Sequence, residues 1–496
     1  MRGSWAYYLR NATLQVLPAP RYPDMVTDRP SPPVPQDYNA AMSATRAAGG
    51  STMSQHPASP GWQAVVAGGS IAGLLAARAL AEICAQVTVV ERDHYPQEPG
   101  FRAGTPQSRH VHVLLARGRQ LLEELFPGIT AELRQRGAAG ADMLADMAYC
   151  QGETWLPRLP SSVWTLLCSR SLLEWQIKRM LLDRWANVRI LERHEVVELV
   201  ATPGGERLTG VRLRKRPGLT TEDNPPSATL EDASNTLAAD LVLDASGRHS
   251  KSPAWLRELG YDAPAESRVD SHISYASRVY ALPEPPDGRS WRGMVVSWNP
   301  PRYLRGGVIW PQEDGSWLVT LGGAGGENPP TDEAGFVAFA QSLPVPEFYE
   351  AIREGEPQSP IYGYADMSNF RRYYERLKRL PDGFLVLGDT FCAFDPVYGQ
   401  GMSVAAMESA LLRDMLRRRA TRDLRGFGRH FHRALARQVA LPWQMATAID
   451  VRVPGAEGGT TGLTTRLMQR YLDRVTRLLP TMEQAERAFV GAAHFV

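Results

Sequence analysis

Residues 63–91 read QAVVAGGSIAGLLAARALAEICAQVTVVE. Gln63–Ala67 is a short apolar run with β-branched residues, the pattern of a buried strand. Ile71–Cys84 has helical periodicity in strong helix formers. Val87–Glu91 is apolar and β-branched again, so the three segments read as a βαβ unit. Gly68, Gly69, Ser70, Ile71, Ala72 and Gly73 lie between the first strand and the helix. In a G-x-G-x-x-G turn the first glycine permits the tight turn, the second lets the backbone approach a pyrophosphate, and the third lets helix and strand pack closely. Gly68 and Gly73 take the first and third places, and the small Ser70 stands in the second. Glu91 ends the second strand, where a carboxylate accepts ribose hydroxyls and repels a 2′-phosphate. A dinucleotide, FAD or NAD before NADP, is therefore expected against the helix N-terminus, whose N–H groups and dipole favour phosphate. Gly68-x-Ser70-x-Ala72 also has the spacing of a hydrolase nucleophile elbow. That reading needs a late acid and histidine, and neither His430, His432 nor His494 sits in a recognisable loop after a strand.

The surrounding chain has 496 residues, enough for two or three domains. Its 55 basic and 53 acidic residues leave a net charge of +2, so nothing global points to nucleic acid or an anionic membrane. Cys84, Cys150, Cys168 and Cys392 are scattered, which argues against zinc or a disulfide framework and fits a reducing, cytoplasmic setting. No metal is expected. No apolar run is long enough for a membrane span, and the start lacks the order of a signal peptide. Residues 1–61 are rich in Pro, Ala, Ser and Gly without sustained period, and are expected to form a disordered leader. Met53, about ten residues before the first strand, is a plausible true start. The chain end at Val496 is short for the bacterial subgroup named below, so part of the final helical region is expected to be missing.

Further helices are read at Arg117–Phe126, Arg170–Trp185 and Gln400–Arg419, and further strands at Val188–Leu191, Val196–Val200, Ala239–Asp244 and Phe384–Leu387. Between them the pattern turns to alternation: Ile273–Tyr280, Met294–Trp298, and a hairpin of Gly306–Trp310 with Trp317–Gly322 about a turn at Glu313–Gly315. The expected fold is α/β. It has a Rossmann-type dinucleotide domain, discontinuous over 62–255 and 376–428, and a mostly antiparallel β substrate domain over 256–375. A helical C-terminal region follows over 429–496, broken at Pro442 and around 454–459.

Two further motifs follow strands: DASGRHS at 244–250 and GDTFCAFDPVYGQGM at 388–402. Together with the glycine turn they resemble the three fingerprints of the FAD-dependent monooxygenase superfamily of aromatic-hydroxylase type. RAGTPQSRHVH at 102–112 resembles a stretch of a bacterial subgroup that contains the flavin epoxidases of polyether pathways. The resemblance implies FAD as cofactor. It implies contacts from Gly68, Ser70, Ile71, Ala72, Gly73, Glu91 and Arg92, and from Arg102, Gln107, Arg109 and Arg170. It further implies Asp244 and Gly247 near the pyrophosphate, and Gly388 and Asp389 at the ribityl chain or ribose. Pro396, Gly399, Gln400, Gly401 and Met402 would form a turn and helix start facing the flavin ring. His112 is the one weak catalytic candidate.

By the same resemblance the protein inserts one oxygen atom from O2 into a hydrophobic small molecule. NAD(P)H is the transient reductant, and a flavin hydroperoxide carries the oxygen to hydroxylation or epoxidation. The alternatives are an FAD-dependent reductase or dehydrogenase of prenyl-type chains and a flavin-binding protein without turnover. Oligomeric state and substrate identity are not legible. Tyr275, Trp298, Trp310 and Trp317 are candidates for a lid that excludes water.

Overall fold

The computed structural model describes residues 61–216, 235–284, 289–419, 423–459 and 462–496. The expected leader and the Met53 start thus lie, apart from Gly61, outside the described residues. β1 (Gln63–Ala67) pairs parallel with β2 (Gln86–Glu91) on one side and with β5 (Leu241–Asp244) on the other. β4 (Val188–Glu192) adds beyond β2, and β11 (Phe384–Val386) beyond β5. The five-stranded order β11-β5-β1-β2-β4 is parallel throughout. Val65, Val66, Val87, Val89, Leu241, Val242, Leu243 and Phe384 are buried. Parallel sheets are covered on both faces, so their strands read as continuous apolar runs.

α1 (Ile71–Ala81) crosses from β1 to β2 and is buried on nearly all sides, which is why it is built from Ala, Leu and Ile. It packs against α3 (Arg170–Arg184) and α4 (Gly401–Arg417). Its one cation, Arg78, is buried: Nε donates to the Leu125 carbonyl at 2.6 Å, and Nη1 lies 2.7 Å from Glu82. α2 (Ala116–Leu125) packs on α4, and the Ser403 hydroxyl accepts the Leu115 N–H at 3.0 Å just before α2 begins.

The second sheet is mixed and mostly antiparallel. Its centre runs β10 (Tyr362–Arg372), β6 (Glu266–Ala281), β9 (Trp317–Gly323), β8 (Arg305–Pro311), β7 (Gly293–Ser297), β3 (Met147–Gln151). The hairpin expected at Glu313–Gly315 joins β8 to β9, in register from Arg305 opposite Gly323 to Pro311 opposite Trp317. Asp314 accepts the Ser316 N–H at 2.9 Å in the turn, and Gly315 takes φ +84°. β3 pairs parallel with β7, so a segment numbered within 62–255 belongs to this sheet.

The tail folds as α5 (Phe427–Gln438), α6 (Ala440–Asp450), α7 (Leu463–Leu478) and α8 (Glu483–Ala493). The expected break at Pro442 falls at Val439 instead, and Pro442 sits in the first turn of α6. Proline is tolerated there because a first-turn N–H has no partner to lose.

Candidate cofactor site

Close approach dictates the turn after β1. Gly68 has φ +98°, and a Cβ there would lie 2.6 Å from the Ala245 carbonyl oxygen. A Cβ on Gly73 would lie 1.8 Å from the Gly68 oxygen. Neither position accepts a side chain, which is the demand read from the sequence for the first and third glycines. Ser70 is the N-cap of α1, but its side chain caps no N–H. Its hydroxyl instead accepts from Arg170 Nη2 at 2.7 Å and lies 3.4 Å from Glu174. Among the described residues, no side chain accepts an N–H of the first turn of α1.

Glu91 is buried at the end of β2. Its Oε2 accepts the Gly69 N–H at 2.7 Å, and its Oε1 accepts the Asp93 N–H at 3.0 Å. Tyr95 donates its hydroxyl to the Gly69 carbonyl. Arg102 Nη1 stands 3.4 Å from both Glu91 and Asp93, and its Nη2 lies 2.6 Å from Glu174. Glu174 also takes Arg170 at 2.9 Å, one helical turn back on α3. One carboxylate therefore fixes two buried guanidiniums beside the glycine turn. Arg102 and Arg170 line a small, open hollow together with Tyr95, Trp175 and Lys178. Fixed, buried cations beside an uncapped helix start are a setting for a phosphate-bearing ligand.

The other two motifs meet this turn. The Gly247 N–H donates to Thr390 Oγ1 at 3.0 Å, which ties DASGRHS to the Gly388-Asp389 loop. Gly388 (φ +64°) stands so near Ala72 that a Cβ on it would come within 2.9 Å of the Ala72 Cβ. The Gly388 N–H is taken by Glu408 of α4 at 2.6 Å. Asp389 is open to solvent yet hemmed in by protein. That surrounding raises its carboxyl, while the charges of Arg248 and Arg170 draw it back. Among the described residues, no atom beyond its own chain neighbours and helix backbone lies within 4 Å of where a Cβ on Gly247 or Gly401 would stand. α4 begins at Gly401 with no side-chain cap, after Pro396 and Gly399 (φ +61°), so a second helix N-terminus opens into free space. Met402 is half-buried and Gln400 buried, its Oε1 without a partner.

The turn is anchored from behind. Asp395 is fully buried; its Oδ1 accepts the Val397 N–H at 3.1 Å, and its own N–H donates to Asn369 Oδ1 at 2.8 Å. Asn369 donates to Asp450 of α6, and the Tyr398 hydroxyl donates to Asp450 at 2.5 Å. Burial raises both carboxyls, and the charge of Asp450 raises Asp395 further.

The histidine pair divides. His110 is buried, 2.8 Å from the Ser277 hydroxyl of β6, and burial brings it down to about 4. His112 is half-buried, its Nδ1 2.9 Å from the His110 carbonyl. Burial and then the Arg170 charge bring it down to about 3. It is neutral at physiological pH and sits on the Arg170 side of the site.

Some expected residues stand apart. Arg92 is exposed, with no hydrogen bond or ion pair among the described residues. Gln107 makes no side-chain hydrogen bond among the described residues; its carbonyl closes the short 106–109 turn onto the His110 N–H at 3.1 Å. Arg109 stacks on Tyr362 at 4.1 Å and on Phe101 at 5.0 Å. Asp244 is fully buried and turned into its own loop, where it accepts the Ser246 N–H at 2.9 Å and the Ser250 hydroxyl. It shapes the loop and leaves any ligand contact to the backbone around Gly247. The four aromatics expected as a lid are not one. Trp310 is fully enclosed, Tyr275 and Trp298 share a core with Met367, and Trp317 packs edge-on against Trp291 at 5.6 Å. Tyr95, Glu174 and Glu408 were not singled out from the sequence, and Arg248 stood in the DASGRHS motif without a role of its own. Of the first three only Glu174, four residues after Arg170, carried a local signal.

No family model matches the sequence. The fold is shared with flavin-dependent enzymes of known structure. It superposes on the flavin-dependent brominase Bmp2 with a TM-score of 0.55 and 15% identity, over 88% of this chain and 98% of that one. For the flavin-dependent halogenase CmlS the TM-score is 0.58 and the identity 16%, over 88% and 76%. For p-nitrophenol 4-monooxygenase PnpA of Pseudomonas putida DLL-E4 they are 0.57 and 16%, over 88% and 98%. In sequence, the chain is 35% identical over 404 residues to Protein Rv3254 of Mycobacterium tuberculosis (strain ATCC 25618 / H37Rv), covering 78% of this chain and 80% of the relative. The chain belongs to the same family as Protein Rv3254.

Proposed function

We propose that this protein is an FAD-dependent monooxygenase that uses NAD(P)H and O2 to oxygenate an apolar small molecule. The observation that carries the reading is the meeting of three sequence-distant segments around one opening. The Gly247 N–H is held by Thr390 at 3.0 Å, Gly388 abuts Ala72, and Asp389 lies under the charges of Arg170 and Arg248. The residues present fit FAD. Arg102 and Arg170 are fixed cations for its diphosphate, Glu91 keeps lone pairs for the adenosine ribose, and Asp389 is open to the sugar-alcohol chain. The uncapped start of α4 faces free space, where its dipole favours negative charge on a reduced ring. Once bound, FAD supplies the activation of oxygen, and the protein supplies orientation and electrostatics.

The rest of the assignment follows the sequence division. The cofactor segments are 62–255 and 376–428, with β3 contributing to the substrate sheet of 256–375, and 429–496 closes the helical side. The RAGTPQSRHVH stretch favours substrates of the kind that polyether-pathway epoxidases take. His112 is neutral and half-buried beside Arg170, which suits a wall of the reaction cavity better than a proton donor. Rapid mixing tests the reading. The oxidised protein is reduced anaerobically with NADH or NADPH, then given ¹⁸O2 and a panel of apolar alkenes and phenols. One labelled oxygen atom in a product is expected. Failure of both nicotinamides to reduce the protein, or reduction with no label in any panel member, contradicts it.

A further inference from the structure

Among the described residues, helix α7 leaves one face unpartnered. Leu463, Leu467 and Tyr471 follow each other at intervals of four residues and are 75%, 55% and 52% exposed. Arg466, Arg470, Arg474 and Arg477 are exposed beside them, and no ion pair among the described residues engages any of the four. At 3.6 residues per turn these seven side chains span an arc of about 140°, apolar along one edge and cationic along the other. Two residues outside that arc tie the helix to its neighbours. Gln469 Nε2 donates to the Ala448 carbonyl at 2.9 Å, and Asp473, the one acid of the helix, is taken by Arg452 at 2.6 Å. The outward face therefore carries a net positive charge, its one neighbouring acid being paired with Arg452.

We infer that this face docks on an anionic lipid surface, with the helix lying parallel to it. Its apolar edge enters the boundary below the headgroups while the guanidiniums meet lipid phosphates. Sixteen residues make a helix of about 24 Å, one to lie in the interface and not to cross it. Other occupants fit the charge less well. Residues 1–60 hold five Arg and three Asp, so they bring more positive charge. A second copy related by a two-fold axis sets arginine against arginine. The inference stands apart from the flavin reading, since neither its argument nor its test involves the cofactor.

Cosedimentation of the full chain with phosphatidylcholine vesicles, with and without phosphatidylglycerol, tests it. Binding is expected to the anionic vesicles and to weaken with salt. Leu463→Gln with Leu467→Gln is expected to lower the partition constant by at least about tenfold. Arg470→Gln and Arg474→Gln are each expected to lower it about fivefold, on anionic vesicles alone. All four side chains are exposed, and unchanged circular dichroism shows that the fold is kept. Absence of vesicle binding, equal binding to both compositions, or indifference to the substitutions overturns the inference. So does a wild-type dimer that the leucine variant dissolves while vesicles bind neither form.

Discussion

Replacing Glu408 by glutamine removes a buried acid while keeping its shape. Glu408 lies fully buried on α4; Oε2 takes the Gly388 N–H at 2.6 Å, and Oε1 has no partner. Burial pushes its carboxyl up to about 8, against an ordinary value of 4.5, and the charge of Asp389 pushes the same way. The folded chain therefore holds this proton to higher pH than the unfolded chain does. The sign follows from linkage: stability from this site is fully present below about pH 4.5 and is lost as pH rises towards 8. Each pH unit within that window costs ~1.4 kcal/mol. Between pH 5 and pH 8 the wild type should thus lose ~3–4 kcal/mol that the glutamine variant keeps. Unfolding entropy for a chain of this size converts that to ~4 °C in Tm. The assay is a pair of thermal melts across the pH range at one saturating FAD concentration, because ligand binding itself raises Tm. The two proteins should nearly coincide at pH 5 and separate progressively, with Glu408→Gln melting higher at pH 8. A constant offset between the curves refutes the reasoning, since it would mean that Glu408 is ionised in the fold throughout.

Three further outcomes are expected. Asp389→Ala should emerge from desalting without yellow colour, with folding intact by circular dichroism; full retention of flavin absorbance counts against the site. Gly73→Ala places a methyl 1.8 Å from the Gly68 carbonyl and should cost ~2 kcal/mol or more, read as a lower urea midpoint. His112→Asn should leave the shape of the pH profile of kcat/KM unchanged between pH 5 and pH 8, because burial holds the imidazole neutral at about 3. An inflection near pH 6–7 present in the wild type and absent in the variant would give His112 a proton-transfer role.

The first sheet was legible because a parallel sheet buried on both faces writes itself as apolar runs. QAVVA, VTVVE, LVLD and FLV all fall on β1, β2, β5 and β11. Gly68 and Gly73 were legible because their backbones meet other backbone at distances that no side chain survives. The pairing of β3 with β7 was not, since parallel partners about 145 residues apart leave no local trace. Asp244 shows the limit of motif reading: the motif placed it at the right loop, but only the fold shows its carboxylate turned inward to Ser246 and Ser250. Glu408 escaped for the same reason. Its partner, Gly388, is brought to it by tertiary packing and not by spacing along the chain.

Titration of the apoprotein with FAD, followed by quenching of flavin fluorescence, bears most directly on the central claim. One flavin per chain should bind at micromolar concentration or below, and Arg170→Ala should weaken that binding, while FMN, which lacks the adenosine diphosphate end, should bind far less tightly. If FAD is not taken up, or if FMN binds as well and Arg170→Ala changes nothing, then the glycine turn, Arg170 and Asp389 do not form one dinucleotide site.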